Sequence, residues 1–374
     1  MATVPSTWVE IDLAALANNV EVYRRALDTD VLVVVKADAY GHGAVAVARA
    51  VLQAGARFVG VVDVSEGLAL RSAGIEGSIL LLGPVDPADA EAAIAADLHL
   101  TCWRDEQLAA AASAAERLDA IANVHLDCDL GMSRFGADVE RLEALLHRAA
   151  ALPRLRVVGL SAHLPSSDVD EAQITLDQLE VFGGLVTRLR ERACCPPIVH
   201  TANSAGAIRF AAARFDMCRV GLASYGVSPG APVPLPDGIR AALTWQARVL
   251  EVRAIPAGRT VGYGGEFRAT RPTRLAVLGV GYADGFRRVP RDSNVVVVRG
   301  TPVRAVGRIC MQHTLLDVTD LAAVEIGDIG LLLGDTPVAD LSAAALAARW
   351  GTNEWDVLCG IGPRAIRVHA GPDA

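Results

Sequence analysis

The 374-residue chain is poor in aromatic residues, at 5%, and has no long basic run and no paired-cysteine motif. Each absence excludes something. No apolar stretch approaches the roughly 20 residues that a helix needs to cross a bilayer. The N-terminus, MATVPSTWVEIDL, lacks the basic start and apolar core of a secretory signal. The formal net charge is 35 − 43 = −8, with both signs well mixed, which argues against nucleic acid or an anionic membrane surface as partner. The seven cysteines (Cys102, Cys128, Cys194, Cys195, Cys218, Cys310, Cys359) are odd in number and show no CxxC or metal-type spacing. Free thiols in a reducing compartment are expected, and with them a soluble cytoplasmic protein.

What is present is a large apolar fraction, 52%, against 21% charged residues, the balance of a globular chain with a sizeable core. Short apolar, β-branched runs recur through the first 225 residues: 31–35, 58–62, 79–82, 98–102, 124–128, 157–162, 198–201 and 217–222. Near-continuous apolarity at strand length marks strands buried on both faces. Ala-, Leu- and Arg-rich stretches with helical spacing lie between them, at 44–54, 65–72, 87–96, 105–117, 139–151 and 171–192, and another helix at 13–27 precedes the first strand. Alternating strands and helices imply a parallel sheet, and eight repeats predict a closed (β/α)8 barrel. An open doubly wound sheet is the rival; no GxGxxG follows the first strand, which weakens it. The pattern changes near residue 240, after the loop SPGAPVPLPDG. Runs at 244–255, 274–280, 294–298 and 329–333, with one helix at 341–349, predict a mostly β second domain. The expected division is 1–240, a (β/α)8 barrel, and 241–374, a mostly β C-terminal domain.

Barrel enzymes carry their chemistry at the C-terminal ends of the strands. Here those ends hold Lys36, Asp127 and Asp129, His163, His200 and Asn203, and Arg219. A lone strand histidine is usually a hydrogen-bonded core residue. A lysine closing an apolar strand is harder to explain that way, because lysine is rarely buried without a partner or purpose. Desolvation lowers its pKa and makes it a nucleophilic amine, as Schiff-base formation requires.

The run VVVKADAYGHG around Lys36 resembles the cofactor-lysine motif of alanine racemases, which are barrel-type pyridoxal-phosphate enzymes. Further stretches are similar to that family in the same order along the chain: WVEIDLAAL, DLGMSRFG, HTANSAGAIRF, RVGLASYG, VGYGG, VGYADGF, VGRICM and VLCGIGPR. The resemblance implies a homodimer with active sites shared between subunits, and a reaction interconverting L- and D-alanine.

It also implies roles. Lys36 forms the Schiff base with pyridoxal 5'-phosphate and then serves as a base on one face. Tyr263 of the partner subunit is the base on the other. Arg219 faces the pyridine nitrogen; a guanidinium keeps its proton, so it disfavours a protonated ring and weakens the ring as an electron sink. Tyr40, Ser204, Gly221, Leu222 and the residue at 355 form the phosphate cradle, with Ser204 opening a helix. Asn203 and His200 lie near Arg219, and His163 lies beside the ring. Arg134 and the backbone of the partner subunit's Met311 meet the substrate carboxylate, and Tyr282 lines the entrance.

Three positions depart from the family pattern. Asp127 stands where many members carry a carbamylated lysine, and is expected to orient Arg134 through its own charge, with Asp129 sharing the task. Gln312 replaces an aspartate near the catalytic tyrosine. Trp355 replaces a phosphate-binding tyrosine, with only a donor N–H and more bulk. These changes keep open a racemase for serine or another amino acid. A decarboxylase of the same cofactor class, a non-catalytic cofactor carrier and a metal hydrolase using Asp127, Asp129 and His163 are the remaining alternatives; no metal is expected.

Overall fold

The computed structural model describes residues 5–289, 294–321 and 323–371. The chain divides into two compact units. One comprises Ala15–Ala39 and Gly43–Arg240, the other Met1–Ala14, Tyr40–His42 and Ala241–Ala374. The first strand, β1 (Thr7–Asp12), belongs to the second of these.

The first unit is the barrel. Its strands are β2 (Asp30–Val34), β3 (Phe58–Val61), β4 (Ser78–Leu81), β5 (Leu98–Cys102), β6 (Ala122–Cys128), β7 (Leu155–Ala162), β8 (Ile198–His200) and β9 (Met217–Val220). They run parallel in the order β8-β7-β6-β5-β4-β3-β2-β9. The remaining gap, between β8 and β9, is bridged by Asp216 N–H to Val199 O (3.0 Å) and Arg219 N–H to Ala202 O (2.9 Å). The strands form where the apolar runs lie because both faces are covered: Val31, Leu32 and Val33 are almost wholly buried, as are Ile79 and Leu81. The helices between them bury one stripe. In Val139–Ala151 the buried residues are Leu142, Leu145, Leu146 and Ala149, three or four apart.

The second unit is built on a long strand, β10 (Leu243–Ile255), followed by β11 (Thr260–Val261), β12 (Phe267–Arg268), β13 (Thr273–Leu278), β14 (Val295–Val298), β15 (Thr301–Arg304), β16 (Thr314–Asp317), β17 (Ile329–Leu333) and β18 (Ile366–Ala370). The order β15-β14-β17-β10-β1-β18 makes the main path, and β13 joins β10 to β16. Helices Ala343–Trp350 and Glu354–Cys359 lie between β17 and β18. β1, β15, β16 and β18 coincide with none of the apolar runs. These strands alternate or are largely exposed (β18 buries neither face fully), so they carry no continuous apolar signal. Among the described residues no helix is long and apolar enough to cross a membrane.

Candidate active site

In the barrel, Lys36 follows Val35 at the C-terminal end of β2 and is half-buried. The next turn is left-handed. Ala37, Asp38, Ala39 and Tyr40 have φ of 51°, 53°, 54° and 51°, and Gly41 has 80°. Left-handed helical geometry costs an L-residue roughly 1–2 kcal/mol, and only glycine adopts it freely. Four consecutive non-glycine residues in this state are strain held by the surroundings. Ala39 N–H bonds Val35 O (2.9 Å), Gly43 N–H bonds Asp38 O (2.9 Å), and Ala44 N–H bonds the Asp38 carboxylate (2.7 Å). The Glu66 carboxylate accepts from Ala37 N–H at 2.7 Å, while its other oxygen accepts from Val62 and Asp63 N–H. Neither the left-handed turn nor Glu66 was legible in the sequence: Ala-Asp-Ala-Tyr carries no glycine to mark positive φ.

Arg219, in β9, is buried and anchors a dense polar cluster. Nη1 donates to His200 Nδ1 (2.9 Å) and His200 O (2.8 Å); Nη2 donates to Ala162 O (2.8 Å), Thr201 O (3.3 Å) and His163 Nδ1 (3.3 Å). Every acceptor is neutral, and Arg219 has no ion pair among the described residues. Its Nε–H has no acceptor there either. Burial and the adjacent guanidiniums of Arg219 and Arg134 and the amine of Lys36 push the His163 imidazole down to about 3, so it is neutral and accepts at Nδ1. Burial likewise holds His200 well below its ordinary value.

Ser204 and Gly221 meet directly, the Gly221 N–H donating to Ser204 Oγ at 3.0 Å. The buried Thr201 hydroxyl has no partner among the described residues. Asn203 caps the helix Ser204–Arg209, accepting from Gly206 N–H (2.8 Å) and Ser167 Oγ (2.7 Å) and donating to Leu164 O (3.0 Å). Ser204 is thus the first helical residue and not the cap. Asn203 makes no bond to Arg219 among the described residues, its amide oxygen already accepting two hydrogen bonds; of the two expected neighbours, only His200 contacts the guanidinium. Leu222 follows Gly221 at the start of a 3-10 turn.

Asp127 accepts from Ser161 Oγ at 2.6 Å, and burial raises its pKa against the lowering effects of that bond and of Arg219 and Arg134. Arg134 is exposed and makes no ion pair among the described residues; its guanidinium lies 5.6 Å from the Phe135 ring. A direct Asp127–Arg134 bond, one form of the expected orientation, is therefore not formed: the short aspartate arm is taken by a serine on the neighbouring strand. Asp129 instead binds the loop's own Gly131 and Ser133 N–H groups. No group of three or more metal-type ligands occurs among the described residues.

The second unit carries the other expected residues. Tyr263, 68% exposed, opens a 3-10 turn and stands between glycines with positive φ, at 73° for Gly262 and 72° for Gly264. Tyr282 (42% exposed) and Met311 (56%) lie together: Ala283 N–H bonds Met311 O (2.9 Å) and Tyr282 N–H bonds Cys310 O (3.2 Å). Gly281 is required there, since a Cβ would fall 2.3 Å from Cys310 O. Met311 N–H has no acceptor among the described residues. Gln312, with its amide oxygen toward Arg364, accepts from both terminal nitrogens at 3.0 Å, and Arg364 pairs with Asp284 (3.0 Å). The neutral residue at 312 therefore leaves Asp284 as the counter-charge of Arg364. Tyr40 is buried, and desolvation raises its pKa. Trp355 is half-buried in the helix Glu354–Cys359, and its indole N–H has no acceptor among the described residues.

A (β/α)8 barrel with an amine, a buried guanidinium and a hydroxyl–amide pair at its strand ends has the layout of a barrel enzyme. Comparison with known proteins is narrower. The family model for the alanine racemase N-terminal domain matches residues 11–229, and that for the C-terminal domain matches residues 242–369. The alanine racemase of Synechocystis sp. is 36% identical over 364 residues, covering 96% of this chain and 98% of that protein. That of Beutenbergia cavernae is 37% identical over 366 residues, covering 96% and 97%. Among solved structures, alanine racemase from Clostridium difficile 630 superposes with a TM-score of 0.92 at 29% identity, covering 100% of this chain and 97% of that one. Alanine racemase from Bacillus anthracis with bound L-Ala-P gives 0.91 at 31%, covering 100% and 97%. The chain belongs to the alanine racemase family, and it is an isomerase, an amino-acid racemase.

Proposed function

We propose that this racemase interconverts L- and D-alanine, using pyridoxal 5'-phosphate held by Lys36 and two bases, Lys36 and Tyr263 of the partner subunit. The observation that carries the reading is Arg219: a buried cation held only by neutral acceptors, with Nε–H left over. A pyridine nitrogen is an acceptor of the kind that this donor lacks. The Ser204 hydroxyl, whose oxygen accepts from the Gly221 N–H, and the Thr201 hydroxyl, unpartnered among the described residues, supply uncharged donors of the kind that a phosphate takes. The donor set therefore fits the cofactor.

When bound, pyridoxal phosphate supplies an aldehyde for amine exchange and a conjugated ring that acidifies the α-carbon. Lys36, held by the strained turn after β2, takes or returns the α-proton on one side. Tyr263 of the partner subunit does the converse on the other, so that a proton lost on one face is replaced on the opposite face and the configuration inverts. The 68% exposure of Tyr263 and the free amide of Met311 favour completion of the site by a second subunit. Arg134 and the N–H of the partner subunit's Met311 bind the substrate carboxylate. Arg219 keeps its proton and opposes protonation of the ring, which favours proton return to Cα. The Bacillus anthracis relative with bound L-Ala-P supports alanine as the substrate. Trp355, bulkier than the family's tyrosine and with only a donor N–H, changes the shape of the pocket and supports a second reading, a racemase for serine or another amino acid.

Purified, cofactor-loaded protein incubated in D2O with a panel of L-amino acids decides between them, by NMR for α-proton loss and chiral chromatography for the enantiomer. D-Alanine with solvent deuterium at Cα is expected. Exchange confined to other amino acids would replace alanine as the substrate, and carbon dioxide release would point to a decarboxylase.

A further inference from the structure

The barrel interior contains a chain of imidazoles that ends on Arg219. His99 on β5 and His125 on β6 meet at 3.2 Å (Nδ1 to Nε2); His125 and His200 on β8 meet at 2.8 Å (Nδ1 to Nε2); and His200 Nδ1 accepts from Arg219 at 2.9 Å. The direction of every bond follows from one fact: a guanidinium has donors and no acceptor. Nδ1 of His200 must carry a lone pair, so in the neutral ring the proton sits on Nε2 and is donated to Nδ1 of His125. The same step places the proton of His125 on Nε2, donated to Nδ1 of His99. One tautomer is imposed on all three rings, and their dipoles align with the negative end toward the cation.

The path is built into the strands. β7 lies between β6 and β8, and at its Gly159 a Cβ would stand 1.9 Å from His125 Nδ1, so only glycine lets that ring reach His200. Phe58 braces the two rings farther from Arg219 edge-on, 5.1 Å from His99 and 6.0 Å from His125. The need is equally plain. A buried cation whose hydrogen-bond acceptors are all neutral is costly unless dipoles replace water, and hydrogen-bonded chains polarise one another.

We propose that His99 and His125 are positioning residues: the aligned imidazole chain holds the Arg219 cation in place from the far side of the barrel, keeps its Nε–H toward the cofactor ring, and so favours racemisation over transamination. In transamination the amino group stays on the cofactor, and the amino acid leaves as its 2-oxo acid, water supplying the carbonyl oxygen. The proposal rests on the reading of Arg219 under Proposed function, but its first test does not need the cofactor.

That test is 15N NMR of histidine-labelled protein, cofactor-free and loaded, for the wild type, His99→Phe and His99→Gln. In the wild type, His125 and His200 are expected to be neutral with the proton on Nε2. His99→Phe removes the last acceptor and should shift the His200 nitrogen resonances. In the loaded enzyme it should raise 2-oxo acid formed per racemisation turnover about three- to tenfold, the ratio equivalent to one neutral hydrogen bond. His99→Gln returns an acceptor oxygen and should restore both readouts. An Nδ1–H tautomer or an imidazolium at His125 or His200 in the wild type would overturn the proposal even if His99→Phe failed to fold. So would a folded His99→Phe with unchanged His200 resonances. Loss of the cofactor reading alone would leave the tautomer result standing.

Discussion

The Glu66 carboxylate accepts the backbone N–H of Ala37 at 2.7 Å, tying the residue after the candidate Schiff-base lysine to the start of the helix Val64–Ser72. The same side chain accepts from Val62 and Asp63. It is the fixed point against which the left-handed turn is held.

Replacing Glu66 with alanine leaves these N–H groups without their acceptor, at a cost of about 1–3 kcal/mol. It also releases a turn whose four positive-φ residues each carry roughly 1–2 kcal/mol of strain. Glu66→Ala should lower the denaturation midpoint and weaken cofactor retention, read from the absorbance of the bound cofactor after dialysis. Glu66→Gln, which keeps one acceptor oxygen, should fall between. Equal cofactor retention in all three proteins would show that the turn holds itself.

Much of this region was legible in the sequence, and the reasons for the rest are physical. The eight barrel strands appear as apolar runs because parallel strands are covered on both faces. The helices Leu13–Leu27, Asp105–Arg117 and Val139–Ala151 fall where 3.6-residue periodicity places them. Lys36 and Arg219 stand out as charges within apolar strands. The left-handed turn is invisible because tertiary contacts, not glycine, impose it. His99 and His125 sit in LHLTC and VHLDC, in equivalent strands, and that pairing was the available signal. A single buried histidine reads as core, and the alignment of three depends on a gap at Gly159 that only the packed barrel reveals.

Gly159→Ala tests that gap. The added methyl group must displace the His125 ring or its strand, an overpacking cost of about 1–3 kcal/mol. Chemical denaturation should show the loss with an unchanged slope. A stability equal to wild type would mean that the His125 ring has room to move away without cost.

Stability should fall in mild acid. His99 is held down to about 4, His163 to about 3, and His125 and His200 well below the usual value, all chiefly by burial. Their unfolded values lie near 6.5. Between about 6.5 and 4 the unfolded chain therefore binds more protons than the folded one, and stability rises with pH. Each fully buried imidazole contributes up to about 1.4 kcal/mol per pH unit in that window. Asp127, raised by burial, works in the opposite sense from its unfolded value near 4 upward, and is outnumbered. Denaturation midpoints at pH 7, 6, 5 and 4 should decline steadily; a flat profile would mean that these imidazoles are charged in the folded state.

The two-base account is tested most directly by Tyr263→Phe in D2O, following α-deuteration and enantiomer composition from L- and D-alanine separately. Removing a positioned general base costs about 10²–10⁴-fold. The account predicts that interconversion drops by that order while one enantiomer still exchanges its α-proton without inversion, through Lys36. Racemisation at the wild-type rate, or equal loss of exchange from both enantiomers with the cofactor still bound, would contradict it.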